Sequence, residues 1–80
     1  MERISIRRTF NIGNFESLSV EATAEADNIE HARLLASKQV LELAQQELVR
    51  IFNIRHHNIN SSPWDQVLME LAGVKKELGL

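Results

Sequence analysis

The residues of this 80-residue chain best suited to hold a metal or move a proton near neutral pH are His31, His56 and His57. His56 and His57 are adjacent, so their side chains diverge. A metal prefers i, i+4 spacing on a helix or a third ligand nearby, and Asn58 is a poor third ligand. There is no cysteine, so thiolate metal sites and disulfides are excluded. The serines sit in no G-x-S-x-G setting, and no histidine lies at a revealing distance. Glu16, Glu21 and Glu25 recur along one short stretch. Alternation on the wet face of a strand explains them better than paired-carboxylate catalysis. No catalytic residue, metal site or cofactor is expected, and the chain reads as a non-enzyme.

The arginines at positions 3, 7 and 8 suggest a second chemistry, since a basic two-stranded ribbon can enter a major groove. Against this stand a net charge of −2 and a pI near 5.9. No aromatic side chain is interleaved for base stacking. Nucleic acid is therefore a disfavoured partner. Two further charges break an apolar pattern. Arg8 falls at an inward position of a strand, and Glu47 falls near the centre of the apolar arc of a helix. Each is costly to bury alone. Either both reach out to solvent at an edge, or they pair, within the chain or across a dimer.

The elements that must position these residues are legible from periodicity. From residue 3 to 24 the chain alternates, with Ile4, Ile6, Phe10, Ile12, Leu18, Val20, Ala22 and Ala24 all at even positions. Two runs of period two predict a half-buried hairpin over residues 3–25. A two-residue loop at Gly13-Asn14 sets the two apolar sets on opposite faces, so an odd loop or a bulge is required. A three-residue loop, Gly13-Asn14-Phe15, pairs Phe10 with Leu18, Ile6 with Ala22 and Ile4 with Ala24. It also sets Arg7 opposite Glu21 and Arg3 opposite Glu25. Glycine and asparagine suit such a tip because they accept positive φ. A phosphate-binding loop wants more glycines and a helix directly after it, whereas here a strand follows.

A long helix is expected over residues 28–53, capped by Asp27 with Glu30 behind it. Ile29, Ala32, Ala36, Val40, Leu41, Leu43, Ala44, Leu48, Ile51 and Phe52 cover an arc of about 200° at 100° per residue. A hairpin covers only part of that, so a second helix or a second subunit must cover the rest. Residues 53–62 read as a polar loop. A C-terminal helix over 63–78 starts at Ser62-Pro63-Trp64-Asp65, with Ser62 as cap and Pro63 in the first helical position. Trp64, Val67, Leu71, Val74 and Leu78 form its apolar stripe, and Gly79 ends it.

The stretch RTFNIGNFES, residues 8–17, resembles a pattern R-x-[FY]-N-x-G-N-[FY]-E-[SH] that recurs in small uncharacterised proteins of bacteria and phages. The likeness covers the first 25 residues or so. It implies no activity, but it points to Asn11, Asn14 and Phe15 as residues of a recognition tip.

The expectation is thus one α+β domain in the order β-β-α-α, with the hairpin packed on the long helix. Its expected function is non-enzymatic protein–protein interaction as a homodimer, because an isolated hairpin leaves two strand edges open. The alternative is a nucleic-acid-associated accessory protein. Arg8, Asn11, Asn14, Phe15 and Glu47 are the candidate interaction residues. The stretch MERISIRRTF lacks the apolar core of a signal peptide and no run approaches a membrane span, so a cytoplasmic setting is expected.

Overall fold

A computed structural model describes residues 1–13, 16–55 and 61–80, and the side chains of these except residues 13, 52–55, 61 and 62. Four elements follow one another: β1 (Glu2–Gly13), β2 (Glu16–Ala26), α1 (Ile29–Arg55) and α2 (Ser61–Glu77). The two strands form an antiparallel hairpin, and the architecture is the expected α+β arrangement.

The register matches the parity reading. Phe10 lies opposite Leu18, Arg7 opposite Glu21, Ile6 opposite Ala22, Ile4 opposite Ala24 and Arg3 opposite Glu25. Odd positions from Arg3 to Asn11 and from Ser17 to Glu25 are exposed, while the even ones turn inward. The device that reconciles the two apolar sets differs from the three-residue loop. Asn11 pairs with Ser17 but Gly13 pairs with Glu16, so Ile12 is an extra residue on β1. This bulge shifts parity by one within the strand. Ile12 thereby stays buried beside Phe10.

α1 begins one residue later than the Asp27 cap implies. β2 runs through Ala26, so Asp27 and Asn28 make the turn between the elements. The Asn28 side chain caps the helix, its Oδ1 accepting the backbone N–H of His31 at 2.8 Å. Ala32, Ala36, Val40, Ala44 and Leu48 then form an i, i+4 row that is fully buried. The core forms where hairpin and helices converge, around Phe10, Ile12, Val20, Val40, Leu41, Leu48, Val67 and Leu71. Each large side chain buried there contributes about 1.5–3 kcal/mol.

The arc of α1 is narrower than its sequence suggests. Ile29 and Leu43 are 45% and 41% exposed. The hairpin and α2 cover the remainder within one chain, with Phe52 outside the described side chains. The long helix therefore gives no separate reason for a second subunit.

α2 begins at Ser61 rather than after a cap at Ser62, so Pro63 lies within the first turn. A proline is tolerated there because the N–H it lacks has no intrahelical acceptor. The side chain of Ser62 lies outside the described residues. Of the expected stripe, Val67 and Leu71 are buried, and Trp64, Val74 and Leu78 are half-buried. The helix ends as expected. Gly79 has φ of 81°, its N–H reaches the Lys76 carbonyl at 3.1 Å, and the Leu80 N–H reaches the Lys75 carbonyl at 2.8 Å. These are the two bonds of a Schellman cap. No helix among the described residues is long and apolar enough to cross a membrane.

Candidate functional site

Arg8 is the inward charge of β1, and its partner is not Glu47. The guanidinium donates to both carboxylate oxygens of Glu70 on α2, with Nη1 to Oε1 at 2.9 Å and Nη2 to Oε2 at 3.0 Å. It also lies 5.1 Å from the centroid of the Phe10 ring, two residues along the same face. Both charged side chains are about one-third exposed, at 35% each. The fork geometry suits a planar guanidinium and a carboxylate. The bonds from Arg8 hold the Glu70 carboxyl below its ordinary pKa, against the opposing effect of burial, and the Arg8 charge and a bond from Gln66 add to them. The bond to Glu70 likewise raises the arginine's already high pKa. The pair ties the hairpin to α2 and leaves neither group poised to exchange a proton.

Glu47 has a local partner. Its Oε2 accepts from Arg50 Nη2 at 2.7 Å and from Nε at 3.2 Å, one turn along α1. Of the alternatives the sequence leaves open, a pairing of Arg8 with Glu47 within the chain is not the one that forms. An inward charge on a strand is answered by a charge on the helix beneath it, and Glu47 sits at the margin of the buried arc. Sequence reading missed Glu70 because it is flanked by apolar residues in α2 and lies 62 positions from Arg8. Its one signal was a place beside the apolar stripe.

Asn11 is exposed at the end of β1, opposite Ser17. Asn14, Phe15, His56 and His57 lie outside the described residues. His31 is exposed in the first turn of α1. Among the described residues there is no group of three or more side chains able to hold a metal.

Two outward surfaces stand out among the described residues. The first is the wet face of the hairpin. Ser5 and Thr23 share a hydrogen bond of 2.7 Å, and Thr9 and Ser19 one of 3.0 Å. Arg3 lies 3.9 Å from Glu25. Arg7 and Glu21 are opposite each other in the register, yet no ion pair between them is found among the described residues. On this face the arginines Arg3 and Arg7 lie on β1 and the glutamates Glu21 and Glu25 on β2.

The second surface is the outward face of α2. Asp65, Leu68, Met69, Ala72, Gly73 and Lys76 are all exposed, Met69 to 76%. Asp65, Met69, Ala72 and Lys76 fall within about 60° of arc at 100° per residue. Neither Asp65 nor Lys76 has an ion-pair partner among the described residues. A Cβ added at Gly73 meets nothing within 4 Å, so the fold of the single chain does not ask for glycine there. A mid-helix glycine costs about 1 kcal/mol relative to alanine. A shallow depression of about 290 Å³ on α1 is lined by Gln39, Glu42, Leu43 and Gln46. It is formed by one helix face and gathers no cluster of titratable groups.

No family model, no curated protein and no solved structure matches this chain.

Proposed function

We propose that this chain is a small non-enzymatic protein-interaction module that works as a homodimer. The observation that carries this reading is the exposed apolar pair Leu68 and Met69 on α2, with uncharged Ala72 and Gly73 one turn further on. Such a face on an otherwise well-packed small domain is suited to a partner. The open edges of the two-stranded sheet are a second invitation to association. The strongest electrostatic feature among the described residues, Arg8 with Glu70, is a tie between elements, which favours a binding role over catalysis. A cytoplasmic setting belongs to the same proposal, and a cysteine-free small domain fits a reducing compartment.

A nucleic-acid-associated role is the second reading, favoured by the exposed Arg7 without an ionic partner among the described residues. It is weakened by the commitment of Arg8 to Glu70. One experiment separates the two. Sedimentation equilibrium over micromolar concentrations is expected to give a mass of twice 9.1 kDa. A mixed DNA and RNA panel is expected to show no retention. Binding that weakens steeply with salt, on a chain that stays monomeric, would replace the first reading by the second.

A further inference from the structure

We infer that the homodimer forms through the outward face of α2, packed antiparallel against the same face of a second copy. This rests on the proposal of self-association and names its surface. Asp65 and Lys76 are equidistant from the point midway between Glu70 and Leu71, and so are Met69 and Ala72. A two-fold axis at that point, perpendicular to the helix, sets Asp65 level with the partner's Lys76. It sets Met69 level with the partner's Ala72. Each copy thus offers a long flexible side chain where the other offers a small one, and an acid where the other offers a base. An isologous interface needs this kind of self-complementarity. A parallel pair would instead bring acid to acid and base to base. Gly73, level with Leu68 across the same midpoint, leaves one flank of the face flat, which lets two helices approach closely.

The hairpin edges fit a second copy less well. Two-fold pairing of β1 with β1 brings Arg3 and Arg7 toward like charges, and pairing of β2 with β2 does so for Glu21 and Glu25. Pairing β1 with β2 satisfies the charges but leaves an edge open at each end, so it does not close as a dimer.

The test is charge reversal and swap on the full chain, read by sedimentation equilibrium. Asp65→Lys and Lys76→Asp each convert both symmetry-related contacts to repulsions. Each is expected to weaken the association about tenfold or more, as fits two exposed pairs changing sign. The double swap, Asp65→Lys with Lys76→Asp, is expected to restore it. Met69→Glu is expected to abolish the dimer while leaving the circular dichroism spectrum unchanged, since Met69 is exposed in the single chain. A dimer indifferent to all four variants overturns the α2 interface but leaves self-association standing. A wild-type chain that is monomeric at every concentration overturns both.

Discussion

Arg8 on β1 and Glu70 on α2 are joined by two parallel hydrogen bonds of 2.9 and 3.0 Å, across 62 positions of sequence. This contact fixes where the C-terminal helix lies relative to the hairpin. α2 otherwise packs mainly on α1, through Val67 and Leu71. Removing one partner leaves the other charge half-buried without its counterpart. Arg8→Met or Glu70→Gln is expected to cost about 1 kcal/mol, the value of a charge-assisted pair discounted for its solvent exposure. A double-mutant cycle read by urea denaturation checks it. Strictly additive single effects would show that the two side chains do not interact in solution.

The same pair sets a pH dependence. Glu70 is held below the ordinary glutamate value of 4.5, chiefly by the bonds from Arg8. A carboxyl with a depressed folded-state pKa adds stability that is fully present above the unfolded value. That stability is lost as pH falls through the lower folded value. The wild type is therefore expected to lose stability below pH 4.5 more steeply than Glu70→Gln. Arg8 stays protonated throughout and adds no titration of its own. Parallel acid limbs for the two proteins, followed by thermal unfolding, would contradict the assignment.

The two described glycines of the C-terminal region have opposite requirements. Gly79 adopts φ of 81°, where a Cβ is strained. Gly73 is helical with open space around it. Gly79→Ala is expected to destabilise by about 1 kcal/mol and Gly73→Ala to stabilise by a similar amount. For a domain of this size that is roughly 4–8 °C in Tm in each direction. Differential scanning calorimetry at a concentration below dissociation of any dimer reads both. A Gly79→Ala variant as stable as the wild type or more so would contradict the Schellman cap.

The cap of α1 gives a sharper local test. Asn28→Ala removes the acceptor of the His31 N–H and is expected to cost about 1 kcal/mol. Asp27→Ala removes no such bond and is expected to change stability by less than about 0.5 kcal/mol. Chemical denaturation of the two variants decides between them, and a larger loss at Asp27 would reverse the roles.

What the sequence made legible follows from where its signals are local. Alternation at Ile4, Ile6, Phe10, Leu18, Val20, Ala22 and Ala24 specified the hairpin face, and parity narrowed the register to those with an odd loop or a bulge, the observed one among them. The bulge at Ile12 was one of two devices with the same parity, and local sequence does not choose between them. Gly79 announced its cap because only glycine accepts that backbone without strain. The cap falls at Asn28 and not Asp27, two neighbours of equal capping chemistry between which the reach of β2 decides. Glu70 was not legible, since the ion pair depends on how α2 docks. The α2 face is not legible from periodicity, which marks the buried stripe of a helix, whereas self-complementarity lies on the opposite side.

The dimer interface can be read as a distance. The chain has no cysteine, so Glu77→Cys carries a single nitroxide near the end of α2, to one side of the proposed contact. With a rise of 1.5 Å per residue and helix axes about 9 Å apart, antiparallel packing sets the two labelled backbone positions about 21 Å from each other. Pulsed electron resonance on the dimer is expected to show a dipolar coupling consistent with that separation. A separation of about 9 Å, as a parallel pair gives, or no coupling at any concentration, would contradict the α2 interface.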